Sequence, residues 1–80
     1  MMISYDDDAK AMYIALSVDA KAARTVEFSP ETFLDLDRKG ELIGIEMLSP
    51  NRSDLKRIAK QYDHPELSRI HPDRFLKAVA

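Results

Sequence analysis

Leu42-Ile43-Gly44-Ile45-Glu46-Met47-Leu48 alternates two kinds of side chain. Side chains along an extended strand point to opposite faces with period two. Ile43, Ile45 and Met47 therefore point one way, and Gly44 and Glu46 the other. A helix would scatter these residues around its circumference, so the stretch reads as a strand with one apolar face. The same test extends upstream. Phe33 to Asp37 sets Leu34 and Leu36 against Asp35 and Asp37, and Arg24 to Phe28 brings Val26 and Phe28 together. Met12 to Leu16 aligns Met12, Ile14 and Leu16. Ile3-Ser4-Tyr5 is a short extra edge that ends at Asp6-Asp7-Asp8.

Turn chemistry separates these segments. In Asp37-Arg38-Lys39-Gly40, Gly40 supplies the positive φ of a type I turn with a following bulge. Any other side chain there would cost about 1 kcal/mol. Ser29-Pro30-Glu31 turns because Pro30 fixes φ and removes a donor. Asp19 to Ala23 makes a looser connection. Short connections favour antiparallel neighbours, which predicts a β-meander of four or five strands.

The period changes near Ser49-Pro50. Leu55, Ile58, Ala59 and Tyr62 fall on one face of a helix. Ser53 reads as its N-cap, and His64-Pro65 ends it. Glu66 to Ile70 allows one more turn, and a last helix starts at Pro72 with Phe75, Leu76 and Val79 as its apolar side. The fold class expected is α+β: one domain over residues 1–80, with a meander over 1–49 and C-terminal helices over 50–80 packed on one face of the sheet.

Composition narrows the function classes. The chain has 80 residues, 45% hydrophobic and 32% charged, with 12 basic and 14 acidic side chains. That profile fits a soluble globular domain and lacks the basic excess of a dedicated nucleic-acid binder. With no cysteine there is no disulfide and no thiolate metal site. The apolar runs are too short for a membrane span, and Met1 to Asp8 has no signal-peptide pattern, so the cytoplasm is the expected location.

Tyr5-Asp6, Ala9 and Ala11-Met12-Tyr13-Ile14-Ala15-Leu16-Ser17, followed by Asp35-Leu36-Asp37, Gly40 and Leu42 to Leu48, together resemble the bacterial family named domain of unknown function 2283. The resemblance covers about residues 2–50. It implies a short β-rich protein. Some members stand beside toxin-like genes, which implies an antitoxin or small regulatory role. The family has no agreed catalytic residues to carry over. Ala15 stands where the family often has arginine.

The residues themselves offer few sites. Asp6, Asp7 and Asp8 read as a solvated turn, since consecutive positions rarely converge on one ion and no calcium-loop spacing follows. Asp35 and Asp37, with Glu46 and Glu27, read as the polar face of a half-covered sheet; acid–base work would need an apolar pocket that the sequence does not supply. A small metal-dependent hydrolase built on these carboxylates is the weakest reading. His64 and His71 lie seven apart and each precedes proline, which suits helix starts better than a metal site. Gly44 leaves room for an aromatic such as Tyr13 or Phe33, or marks a bulge. No catalytic, cofactor-binding or metal residue is assigned, and no cofactor is expected.

Two surfaces remain. Tyr13, Phe33 and Leu42 on the second sheet face, with Phe75, Leu76 and Val79, form a candidate partner interface; a homodimer would enlarge a core limited by chain length. Arg52, Lys56, Arg57 and Lys60 form a basic helix face that offers nucleic-acid phosphates an alternative site. The expected function is a non-enzymatic interaction or regulatory module, antitoxin-like in its specific version, with a nucleic-acid-binding regulator as the alternative.

Overall fold

Strand β5, Leu42–Met47, is the most buried strand, and it occupies the middle of the sheet. The computed structural model describes residues 1–72. Around β5 stand β1 (Met2–Asp6), β2 (Ala11–Ala15), β3 (Arg24–Ser29) and β4 (Thr32–Leu36). All pairings are antiparallel, in the order β1-β2-β5-β4-β3. The class is α+β, with a helix α1 at Arg52–Tyr62 and a 3-10 turn at Pro65–Arg69. The antiparallel sheet of five strands is as the pattern predicts, and the strand order refines the meander: β1 neighbours β2, and β3, β4 and β5 follow one another, but β5 lies between β4 and β2.

The physical reason lies in the edges. In a simple meander β5 would end the sheet with an unpaired apolar edge, and β3, with Arg24, Thr25, Glu27 and Ser29, would be central. Edge strands leave backbone donors and acceptors open, so polar strands suit them better. The link from β2 to β3 must then pass two strands, a separation of about 14 Å at ~4.8 Å per strand. Residues 16–23 cover this easily at ~3.3 Å each. The link is tied at both ends: Leu16 and Ser17 donate to the Ile43 carbonyl at 2.9 and 3.4 Å, and Ala23 donates to the Leu36 carbonyl at 2.8 Å.

Register places one apolar row across all five strands: Ile3, Ile14, Ile45, Leu34 and Val26. Ile14, Ile45 and Leu34 are buried, whereas the two ends, on edge strands, are half-buried. Tyr5, Met12, Met47, Thr32 and Ser29 form the next row, of which Met12, Met47 and Thr32 are buried. Burying each large aliphatic side chain contributes roughly 1.5–3 kcal/mol.

The turns follow their side chains. Gly40 has φ +81° and donates to the Asp37 carbonyl at 3.0 Å. Asp37 Oδ1 accepts from the Lys39 and Glu41 amides at 2.8 and 2.9 Å. Asp37 thus belongs to the turn, because β4 ends at Leu36. A second departure comes just after. Asp35 pairs with Gly44 but Leu36 pairs with Leu42, so β5 carries one extra residue at Ile43. This bulge turns Leu42 to the face of Leu36, where it is buried with Ile43. Leu42 is therefore a core residue and not part of the second face.

Residues 1–49 and the chain from Pro50 onward are separate compact units. In the second, Asn51, not Ser53, caps α1: its Oδ1 accepts the Asp54 amide at 2.8 Å, and its Nδ2 lies 3.4 Å from Asp54 Oδ2. This reciprocal pair satisfies an end donor and explains the earlier start. Leu55, Ile58 and Ala59 are buried, as their spacing predicts. The helix ends at Asp63 in the left-handed region, φ 58°, before the 3-10 turn that buries Leu67. The last helix, with Phe75, Leu76 and Val79, falls outside the described residues.

Candidate functional site

The second face of the sheet collects the side chains that alternate with the core rows. One row runs Ser4, Tyr13, Glu46, Phe33 and Glu27; its neighbour runs Met2, Ala15, Gly44, Asp35 and Thr25. Glu46, on the central strand, is paired in register with an aromatic residue on each side. Tyr13, Phe33 and Asp35 are half-buried, while Glu46 and Glu27 are exposed. Directly paired cross-strand side chains lie about 5 Å apart at Cβ, close enough for rings and carboxylate to touch a common ligand.

Gly44 organises this face. The Tyr13 side chain leans diagonally from β2 across β5, and its hydroxyl donates to Asp35 Oδ2 on β4 at 2.7 Å. A Cβ on Gly44 would overlap the phenol, falling 2.6 Å from Tyr13 Cζ and 3.4 Å from Asp35 Oδ2. The missing side chain is what lets the ring cross. Thr25 on β3 donates to Asp35 Oδ1 at 2.6 Å. Both oxygens of Asp35 are thus taken by hydroxyls from strands on either side of it, and the chain Tyr13–Asp35–Thr25 ties one side of the sheet to the other.

The electrostatics follow from this geometry. The Tyr13 phenol is pushed up to about 12, first by burial, then by the hydrogen bond and charge of Asp35, then by the charge of Glu46. It is therefore a fixed donor at neutral pH. General acid–base catalysis favours a group that titrates near the working pH, and this phenol moves away from it. The arrangement is suited to holding rings in place next to negative charge.

Other sequence candidates fall elsewhere. Asp6 Oδ1 accepts the amides of Asp8 and Ala9 at 3.0 and 3.2 Å, and Lys10 Nζ lies 3.4 Å from Asp7 Oδ1, which makes the acidic run a turn between β1 and β2. His64 Nδ1 contacts Glu66 Oε1 at 2.9 Å at the start of the 3-10 turn. The Glu66 carboxyl is held low by its own backbone amide first, and by His64 next. Among the described residues, no group of three or more histidine, aspartate or glutamate side chains is placed to hold a metal ion. No helix among them is long and apolar enough to cross a membrane.

Arg52, Lys56, Arg57 and Lys60 are all exposed on α1. Arg52 Nη2 donates to the Ser68 carbonyl at 3.2 Å, and Arg57 Nη1 lies 3.5 Å from Asp54 Oδ1. Lys56 and Lys60 border a shallow hollow with Ala59, Asp63, Pro65 and Ser68. Of the candidate partner interface, Tyr13 and Phe33 share the second sheet face, and Leu42 does not. Thr25 was missed in the sequence, since an isolated threonine in a polar strand carries no signal of its distant partner.

Comparison with known families agrees with the division of the chain. A family model described as protein of unknown function (DUF2283) matches residues 2–49. The chain belongs to this family. The matched segment coincides with the sheet unit, so the DUF2283 match contains Tyr13, Gly44, Asp35 and Glu46, and α1 lies beyond it. No curated protein and no solved structure matches the chain.

Proposed function

We propose that this DUF2283 protein is a non-enzymatic interaction module that binds another protein through the second face of its sheet. One observation carries the reading: two half-buried aromatics flank an exposed carboxylate, and a hydrogen-bond chain over Gly44 holds one of the rings in position. Rings already fixed lose little freedom on binding, which favours a preformed contact surface. Aromatic side chains are enriched where protein surfaces meet.

The finer version is antitoxin-like, with a homodimer as the base unit and the cytoplasm as the setting. Its test is co-expression with the product of the adjacent gene. A stable complex and relief of that product's toxicity are expected, and both should be lost when Phe33→Ala and Glu46→Lys are combined in a chain that still folds. A harmless neighbour that does not co-purify would remove the antitoxin version. The alternative reading, a nucleic-acid-binding regulator, rests on Arg52, Lys56, Arg57 and Lys60. It requires binding that weakens with salt and with neutralisation of Lys56 and Lys60.

A further inference from the structure

The second sheet face has one sign of charge. Its paired strand positions are Met2, Ser4 and Asp6 on β1, Ala11, Tyr13 and Ala15 on β2, Gly44 and Glu46 on β5, Phe33 and Asp35 on β4, and Thr25 and Glu27 on β3. Four of these are carboxylates and none is basic. The bias extends through the sheet unit, where residues 1–49 hold five basic and ten acidic side chains. The four carboxylates differ in what they already do. Asp6 accepts turn amides, and Asp35 accepts two hydroxyls. Among the described residues, Glu46 forms no ion pair, and it alone is paired in register with an aromatic residue on each side.

We propose that the row Tyr13–Glu46–Phe33 receives an arginine side chain from a basic segment of a partner protein. This rests on the reading of the face as an interaction surface and names the chemistry of its occupant. Glu46 pairs with the guanidinium, and the two rings flank its plane. A planar fork can do both at once, whereas an ammonium is a compact, strongly hydrated point charge that cannot stack. Cations are attracted to aromatic faces, and the guanidinium is the more frequent partner. Glu27, next to Phe33 in the same row, extends the negative strip for a second cation. Opposite charge also speeds encounter with such a segment.

The test is an amide-shift titration of the isotope-labelled full chain with four capped peptide probes of equal length. Three are glycine–serine peptides bearing arginine, lysine or glutamate, and the fourth is uncharged and apolar. The arginine peptide should shift signals around Tyr13, Phe33 and Glu46, and should bind about threefold or more tighter than the lysine peptide. Glu46→Gln should weaken arginine-peptide binding about tenfold. Glu41→Gln, in the β4–β5 turn and off the face, should change it less than about twofold. Equal binding of arginine and lysine peptides, or equal effects of the two substitutions, would reduce the interaction to diffuse charge and overturn the proposal. Shifts on this face that depend on protein concentration without any probe would assign it to a second copy, which also overturns it. If the apolar peptide alone shifts the face, the arginine assignment falls while the interaction reading stands. If no probe shifts it, both fall.

Discussion

The two faces of one sheet are built from alternate residues of the same five strands, yet they do different work. One face carries Ile3, Ile14, Ile45, Leu34 and Val26 in a row, with burial deepest at the centre. Its side chains are interchangeable in kind: each contributes by leaving water. The other carries Ser4, Tyr13, Glu46, Phe33 and Glu27, and here no residue substitutes for its neighbour. Tyr13 needs the gap at Gly44 and the carboxylate of Asp35, and Asp35 needs Thr25. A buried apolar row is held by area, and a polar row by particular donors and acceptors. The first tolerates changes of shape within limits, and the second fails at single atoms.

This contrast can be broken from either side. Ile45→Ala, at the centre of the buried row, should have the largest effect, about 2–5 kcal/mol of unfolding free energy by denaturant titration. A loss under 1 kcal/mol would mean the row is not a packed core. Gly44→Ala, on the same strand but the opposite face, should cost about 1–3 kcal/mol, because the added methyl displaces the Tyr13 ring. Most of that cost should vanish in a Tyr13→Ala background, a coupling that a double-mutant cycle measures directly. An undiminished cost there would place the strain in the backbone instead.

Tyr13→Phe keeps the ring and removes the donor to Asp35, for an expected loss of about 1 kcal/mol. It also carries a pH signature. The phenol titrates at about 12 in the folded protein and near 10.0 when free, so the folded state favours the protonated form. Its contribution is complete below about pH 10 and is lost as the pH rises through about 12. Wild-type stability should fall more steeply than that of Tyr13→Phe across this window. Parallel curves would remove the burial and hydrogen bond as the cause. Smallest of all, Glu46→Gln should leave stability within about 0.5 kcal/mol, since the side chain is exposed and forms no ion pair among the described residues. A large loss would make Glu46 a structural residue and not a contact.

How much of this was legible depended on the range of the interaction. Period two separated core residues from surface residues in β2, β4 and β5, because alternation is a property of neighbours along the chain. Gly40 marked its turn for the same reason: positive φ is a demand on one residue. Ser53 was the wrong cap because two nearby polar residues both fit a helix start, and only Asn51 is extended where its side chain meets the Asp54 amide. Leu42 falls on the other face from the one alternation predicts because a bulge shifts the pattern by one residue; Gly44 beside it allows a bulge without fixing where it falls. A glycine inside a strand signals room for an aromatic or a bulge, and Gly44 has both: the Tyr13 ring crosses it and the bulge lies beside it. The choice of Tyr13 required knowing that Asp35 lies two strands away from it, on the far side of β5.

The sequence by itself determined the five strands, the one-sided apolar pattern, the turn at Gly40 and the helical period after Pro50, since each depends on residues a few positions apart. Tertiary structure decided the order of the strands. An eight-residue link between β2 and β3 permits either a neighbour or a crossing, and the cost of an exposed apolar edge on β5 selects the crossing. That choice sets β5 between β2 and β4, brings Gly44 under Tyr13 and pairs Glu46 in register with Tyr13 on one side and Phe33 on the other. The candidate site is therefore a product of strand order, which local pattern leaves open because backbone pairing is the same in kind whichever strands meet.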